Sequence, residues 1–140
     1  MQVQELIDAH IASQAEPKRS DLLALHTLLL SIKPEARLWF YDGRDDNGKI
    51  VTNPNIGYGF CTLLYAKDDA KEFYQIGISA TKTGISIYIL GKKDLSYLVK
   101  TFAKTIGKAT LTGYCIKFRK LQDVNLETLE AALRYGFKVE

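Results

Sequence analysis

The sequence predicts an α+β fold in which helices pack on an antiparallel sheet of about five strands. Segments with apolar residues at helical spacing lie towards both ends of the chain, whereas segments that alternate every second residue fill its middle. The connections between the middle segments are too short for crossover helices, which favours antiparallel pairing. The length of 140 residues fits one domain, so we predict a single domain over residues 1–140.

The composition is that of an ordinary water-soluble domain. Hydrophobic residues make up 46% of the chain and charged residues 25%, which excludes a disordered, collagen-like or membrane-spanning protein. Cys61 and Cys115 lie in apolar runs without CxxC spacing, and acids stand where an export signal would need a basic and apolar start. We therefore expect a cytoplasmic protein with two free thiols.

Two helices are predicted at the start of the chain. Apolar residues recur at helical spacing over residues 3–11, and residues 13–17 break that pattern. The second helix, over about residues 18–32, carries too many leucines for a one-sided surface helix and should be mostly buried. Pro34 then stops the helix, and residues 38–41 are predicted as a short aromatic strand.

The middle of the chain is predicted to form an antiparallel meander after a long loop. Residues 42–59 are dense in Gly, Asp, Asn and Pro, which indicates an ordered loop or a wide hairpin. Strands are predicted over 60–65, 73–80 and 85–90 from their β-branched and aromatic residues. The predicted turns between them lie at 68–69 and 81–84.

The last third predicts one inserted helix, one strand and one terminal helix. Asp94 can cap the inserted helix, and Gly107 can end it. Its predicted buried residues are Leu95, Leu98, Val99, Phe102 and Ile106. A strand over 114–118 should turn Tyr114 and Phe118 towards the core. The terminal helix should begin at Asp123 or Asn125, bury Leu126, Leu129 and Leu133, and end at Gly136.

No arrangement of residues in the sequence predicts catalysis. Neither His10 nor His26 has a carboxylate four residues away, so both are interpreted as packed or capping imidazoles. No paired acid and base, metal-ligand cluster or cofactor motif is present. We therefore predict a non-enzymatic protein without a cofactor.

An aromatic cleft beside the long loop is the predicted ligand site. Trp39, Tyr41 and Tyr58 flank the turn-rich segment, and loops positioned by a rigid scaffold often carry binding residues. The candidate polar contacts of this cleft are Lys82, Lys117 and Arg119. The main hypothesis is accordingly a binding module for a small molecule or a protein, with no membrane partner.

Positive charge is concentrated in residues 92–120. This segment carries eight Lys or Arg residues against one acid, whereas the whole chain has a net charge of +3. Lys100 and Lys104 share one face of the predicted inserted helix, and Lys117 and Arg119 share one face of the following strand. The segment could meet phosphates, so nucleic-acid binding is an alternative hypothesis.

Several stretches of the chain together suggest a family resemblance. They are residues 53–59, 74–80, 84–89, 107–108, 114–118 and the turn Leu121-Gln122-Asp123-Val124-Asn125. These stretches resemble the YdhG-like family, a bacterial domain family of unknown function. The resemblance covers about residues 18–135 and is most specific in the second half. The resemblance implies a small bacterial cytosolic α+β domain, mostly without an assigned activity.

One branch of the YdhG-like family is described as frataxin-like intracellular iron chaperones, so iron delivery is a further hypothesis. Iron binding would use carboxylates of turns and helices. The first to test are Asp45, Asp46, Asp68, Asp69 and Glu72. The first predicted helix contributes only Glu5 and Asp8, and the chain is net positive, which departs from what iron delivery favours.

Overall fold

The computed structural model describes residues 2–66 and 69–138, and its fold is α+β, as predicted. The described helices are α1 (Val3–Ala12), α2 (Lys18–Ile32), α3 (Tyr97–Phe102) and α4 (Leu126–Phe137), with a 3-10 turn at Leu121–Asp123. The described strands are β1 (Leu38–Tyr41), β2 (Asn55–Tyr58), β3 (Cys61–Ala66), β4 (Asp69–Phe73), β5 (Ile76–Thr81), β6 (Gly84–Ile89), β7 (Thr110–Leu111) and β8 (Cys115–Phe118).

Six strands form one antiparallel sheet, and two form a separate hairpin. The order in the sheet is β1-β2-β5-β6-β8-β7, and β3 pairs with β4 outside it. Ile56 pairs with Ile78, Ile78 with Ile87, and Ile87 with Ile116, so one row of isoleucines runs across four strands. Because paired residues share a face, this row turns a continuous apolar surface to one side of the sheet.

The helices pack on the isoleucine side of the sheet and form the core with it. Ile7 of α1, Leu25 of α2 and Leu129 of α4 are fully buried in the same apolar cluster as the isoleucine row. Gly136 lies in the last turn of α4, where a β-carbon would approach Ile76 and Ile89. Among the described residues, no helix has both the length and the apolar character that crossing a bilayer requires.

The opposite side of the sheet is rich in small, hydroxyl-bearing and aromatic residues, and we call it the polar face. Side chains alternate along a strand, so each apolar position is followed by one on this face. The polar face includes Trp39, Tyr41, Asn55, Gly57, Gly77, Ser79, Thr81, Ser86, Tyr88, Cys115 and Lys117. Short side chains line the middle of this face, namely those of Ser79, Ser86 and Cys115. Each of these residues is 2–3% exposed.

The predicted meander of residues 60–65, 73–80 and 85–90 is wrong in two respects. Strand β2 lies within the segment predicted as a loop and takes the place next to β5 that β3 was expected to occupy. The predicted strand 73–80 is two strands, since β4 ends at Phe73 and β5 begins at Ile76. The chain changes direction between them, where Gln75 N donates to Tyr58 O. The predicted turn at 68–69 includes Asp68, which lies outside the described residues.

The inserted helix is shorter than predicted, and its buried stripe is different. The Asp94 carboxylate accepts hydrogen bonds from Ser96 N and Oγ, which forms a local turn, and α3 begins only at Tyr97. Leu95 is 60% exposed and Val99 is 42% exposed, so these two residues are not part of the core. The other three predicted positions, Leu98, Phe102 and Ile106, are buried.

Three expectations near the C-terminus are also corrected. Tyr114 precedes β8 and is 52% exposed rather than turned to the core. Leu126 is the first residue of α4, next to the capping Asn125, and is 55% exposed because the first turn extends past the sheet-facing stripe. Gly136 does not end the helix, since α4 continues to Phe137.

Candidate functional site

Two adjoining hollows lie on the polar face where β5, β6 and β8 meet. One has a volume of about 320 Å³ and the other about 420 Å³. We call the two hollows together the trough, and four residues line both of them, namely Thr81, Thr83, Ser86 and Lys117. The smaller hollow lies at the strand ends and also reaches Arg119 and the core residues Ile85 and Phe118. The larger one extends to Tyr88, Thr112, Tyr114 and Cys115.

Strand register places the hydroxyl groups and the cation of the trough side by side. Ser86 of β6 pairs with Ser79 of β5 on one side and with Lys117 of β8 on the other. The turn between β5 and β6 returns the chain within two residues, since Thr81 pairs with Gly84. A β-carbon at Gly84 would collide with the backbone oxygen of Phe118, so glycine lets the end of this hairpin lie close to β8.

The trough is cationic and contains no carboxylate among its lining residues. Lys117 and Arg119 are both exposed, and neither forms an ion pair within the described part of the chain. Cys115 lies at the bottom of the larger hollow, where burial raises the pKa of its thiol. The thiol therefore stays neutral at physiological pH, and the positive groups are the ones that an incoming anion meets.

Two stacked tyrosines form one wall of the larger hollow. The rings of Tyr88 and Tyr114 have centroids 6.4 Å apart and planes inclined by 19°. Tyr88 follows Ser86 by two positions on β6, so its ring stands on the polar face beside the hydroxyl groups. Tyr114 remains more than half exposed, which leaves ring surface accessible from solvent.

Trp39 and Tyr41 lie at the opposite end of the polar face, in an aromatic cluster with Phe73 and Tyr74. The Trp39 and Tyr41 rings stack with centroids 6.3 Å apart, and Phe73 contacts both edge-on. The indole Nε1 donates a 2.7 Å hydrogen bond to the Gly59 carbonyl. These two predicted site residues therefore lie together, but neither lines the trough.

Tyr74 packs across two neighbouring glycines of the sheet. A β-carbon at Gly77 would lie 2.5 Å from Cε1 and Cζ of Tyr74, and one at Gly57 would collide with the same ring. Gly57 and Gly77 pair between β2 and β5. Because neither has a side chain, the Tyr74 ring can pack flat against the backbone at this pair. Gly57, which was predicted to belong to a loop, and Gly77, which was predicted within a strand, thus both have a packing role here.

Tyr58 does not line an open cleft, contrary to the sequence-based expectation. It is fully buried on the helix side of the sheet, and its hydroxyl oxygen lies 2.6 Å from His26 Nδ1. The physical reason is strand alternation, because Tyr58 pairs with Leu38 whereas Trp39 pairs with Gly57. Trp39 and Tyr58 therefore face opposite sides of the sheet.

The three predicted basic contacts lie near one another, and two of them line the hollows. Lys117 and Arg119 border the smaller hollow together. Lys82 is exposed in the turn between Thr81 and Thr83, and its carbonyl oxygen accepts a 3.4 Å hydrogen bond from Lys18 Nζ. Its side chain is not part of the lining of either hollow.

A third hollow, of about 370 Å³, lies between β3 and the end of α4. Cys61 and Gln75 are among its lining residues. The Gln75 side chain is 3% exposed, and its Nε2 donates to the Phe137 carbonyl. Burial raises the pKa of the Cys61 thiol, and Lys92 opposes that shift. The Gln75 side chain thus links the end of α4 to the start of β5, and Cys61 Sγ donates to the Tyr74 carbonyl.

Of the acids proposed for iron binding, Asp45 has a structural role. The Asp45 carboxylate accepts hydrogen bonds from the backbone N–H groups of Asn47 and Lys49 and so shapes the turn. Within residues 2–66 and 69–138, no three His, Cys, Asp or Glu side chains lie close enough together to hold a metal ion. Asp68 lies outside the described residues.

Sequence reasoning missed the hydroxyl groups and tyrosines of the trough. Thr81, Ser86 and Tyr88 occupy alternate positions on strands whose other positions are isoleucine or alanine, and this alternation is the signal that could have identified them. Thr83 and Tyr114 lie just outside strands, where no periodicity marks them.

Comparison of the chain with protein-family models, curated proteins and solved structures found no match. The YdhG-like resemblance therefore stays a prediction.

Proposed function

We propose that the protein is a non-catalytic binding module that holds a small molecule with a phosphate or carboxylate group in the trough. One observation supports this proposal. Two exposed cations, Lys117 and Arg119, line the same hollow as several hydroxyl-bearing residues, and no acid lines it. Arg presents a planar fork of donors that matches either anion, and Lys adds a mobile charge. We place this activity in the bacterial cytoplasm, consistent with two free thiols.

The shape of the site favours a small ligand over a broad surface partner. The two hollows, of about 320 and 420 Å³, lie in the size range of small-molecule sites. Ser86 lines both hollows and is 3% exposed, so a ligand would approach its side chain through them. A ligand that enters would exchange water contacts of Lys117 and Arg119 for charge-assisted hydrogen bonds.

The test is a ¹⁵N NMR titration with ribose 5-phosphate as the phosphate probe and citrate as the carboxylate probe. We expect saturable shifts of the Thr83, Ser86 and Lys117 amides with at least one probe. Replacing Lys117 and Arg119 together by alanine should weaken binding about a hundredfold or more, since hydrogen bonds to charged groups contribute about 1.5–3 kcal/mol each and about 1.4 kcal/mol is a factor of ten.

The matched control is the Lys100→Ala, Lys104→Ala pair, which removes the same charge from exposed positions on and just after α3. It should leave affinity nearly unchanged. Equal losses in the two pairs would show that net charge alone attracts the probe, and the absence of saturable shifts with both probes would refute the proposal.

Nucleic-acid binding through residues 92–120 is the second candidate function. Lys100, Lys104, Lys108, Lys117 and Arg119 are all exposed. Such binding would fall steeply with salt, because each phosphate contact releases counterions. It would also weaken equally in both alanine pairs, whereas the small-molecule site would respond to only one of them.

A further inference from the structure

We infer that the ligand of the trough carries a planar ring next to its anionic group, and that the ring stacks on the wall formed by Tyr88 and Tyr114. This inference rests on the proposed function, because it assigns the anion to Lys117 and Arg119. It adds the chemical class of the ligand, an aromatic phosphate or acid of about the size of a nucleoside monophosphate.

The tyrosine wall is the first observation behind this inference. Tyr88 and Tyr114 are nearly parallel, and both line the larger hollow. Tyr114 is 52% exposed, and Tyr88 is the one aromatic ring that it contacts among the described residues. A flat ring offered to the inside of a hollow favours an offset-stacked aromatic partner, because stacked pairs gain more than their buried area alone provides.

The spacing between the wall and the cations is the second observation. Tyr88 pairs with Cys115, and the neighbouring position on the polar face, Ser86, pairs with Lys117. Positions two residues apart on a strand are separated by about 6.6–6.8 Å. The Lys117 position therefore lies about 7 Å along the sheet from the tyrosine wall, and Arg119 lies beyond it.

The residues between wall and cations suit a polar linker. Ser86 lies at the centre, and Thr81 and Thr83 border it on the hairpin side. Hydroxyl groups both donate and accept hydrogen bonds, as the hydroxyls of a sugar do. The two hollows share these residues, so one molecule can occupy both, with its anion in the smaller hollow and its ring in the larger one.

The experiment compares three probes that differ only in the parts at issue. Adenosine 5′-monophosphate carries ring, sugar and phosphate, ribose 5-phosphate lacks the ring, and adenosine lacks the phosphate. We expect the nucleotide to bind about tenfold more tightly than ribose 5-phosphate, in line with the stacking contribution of one base on an aromatic side chain. Adenosine should bind more weakly than the nucleotide.

The Tyr114→Leu variant should reduce the affinity for the nucleotide to that for ribose 5-phosphate and leave the latter unchanged. Tyr114→Phe keeps the ring and should keep the nucleotide advantage. Tyr41→Leu is the matched control, an exposed tyrosine on the polar face outside the trough, and should change neither affinity. Because Tyr114 is more than half exposed, its variants are expected to fold.

The outcomes separate this inference from the proposed function. If the nucleotide and ribose 5-phosphate bind equally, and both depend on Lys117 and Arg119, the ring assignment is overturned and the anion site stands. If the nucleotide is preferred but Tyr114→Leu keeps that preference, the stacking wall is overturned. If no phosphate probe binds but citrate does, the nucleotide-sized ligand is overturned and the anion site stands. If citrate fails as well, both proposals fail together.

Discussion

His26 and Tyr58 are joined by a 2.6 Å hydrogen bond between Nδ1 and Oη that links α2 to β2 inside the core. Tyr58 is fully buried and His26 is 7% exposed, so water does not readily replace this contact. Burial raises the pKa of the Tyr58 hydroxyl, which therefore keeps its proton at any ordinary pH. The His26 ring of α2 and the Tyr58 hydroxyl of β2 thus provide each other with a hydrogen-bond partner within the apolar core.

Removing the Tyr58 hydroxyl is expected to destabilise the fold. Tyr58→Phe keeps the ring but leaves His26 Nδ1 without its partner, and an unsatisfied buried polar group costs about 1–3 kcal/mol. Urea denaturation measures the change in the free energy of unfolding. Tyr114→Phe is the control, because its hydroxyl lies on an exposed ring and should matter little. Equal midpoints for the two variants would contradict this account.

Stability is expected to fall as the pH drops below about 6.5. Burial lowers the pKa of His26 and of His10 from 6.5, with Asp8 partly opposing the shift at His26. The unfolded chain therefore binds protons before the folded protein does, so the free energy of unfolding decreases from about pH 6.5 down to the lowered folded pKa values. Above pH 6.5 this contribution to stability is fully present.

Urea midpoints measured between pH 7.5 and 5 test this dependence. His26→Gln and His10→Gln should each flatten the curve, and the double variant should flatten it most. A wild-type curve that is flat through this range would contradict the prediction. A curve that the double variant leaves unchanged would show that other groups cause the dependence.

The sequence predicted much of the fold because its strongest signals are local. The second helix was predicted over residues 18–32, and α2 spans Lys18–Ile32. The strand 38–41 was likewise predicted and coincides with β1. Strand β2 was missed because its glycine and its neighbouring turn formers resemble a loop, whereas Gly57 is required there by Tyr74, a contact between distant residues. No local pattern encodes such a contact.

The candidate site was less predictable, because it depends on which residues share a face. Lys117 and Arg119 were selected from their charge and spacing, and the structure places both beside the same hollow. Trp39 and Tyr58 were grouped because both flank one loop, but the register of β1 with β2 turns them to opposite sides of the sheet. A one-residue difference in pairing decides such questions, and the sequence alone does not give the pairing.

Adding a methyl group at Gly77 is expected to destabilise the fold only while Tyr74 is present. The new β-carbon would lie 2.5 Å from two ring atoms of Tyr74, so Gly77→Ala should cost about 1–3 kcal/mol through overpacking. In a Tyr74→Ala background the same change should become neutral or stabilising, because alanine has less backbone entropy to lose than glycine. Urea denaturation of all four chains measures the coupling. If the effects of Gly77→Ala and Tyr74→Ala on the free energy of unfolding simply add, the cost of Gly77→Ala does not come from contact with Tyr74.

The two thiols are expected to differ in reactivity. Cys61 is partly exposed beside a hollow, whereas Cys115 is 2% exposed, and burial raises the pKa of both thiols. A disulfide reagent at pH 8 should therefore modify Cys61 slowly and Cys115 only on unfolding. Denaturation without reductant should release two thiols. Cys61→Ser identifies the first to react, and a native reaction that persists in this variant would contradict the assignment.

Replacing Trp39 separates packing from binding at the aromatic cluster. Trp39 is half-buried, so Trp39→Ala should cost less than the 3–5 kcal/mol typical of a core tryptophan, about 1–3 kcal/mol. Strand β1 lies three strand spacings, about 14 Å, from β6, so ribose 5-phosphate should bind the variant with unchanged affinity. For the same reason, the fluorescence of this single tryptophan should report unfolding but not ligand binding. A loss of affinity without a loss of stability would instead place the ligand at the aromatic cluster, beside Trp39 and Tyr41.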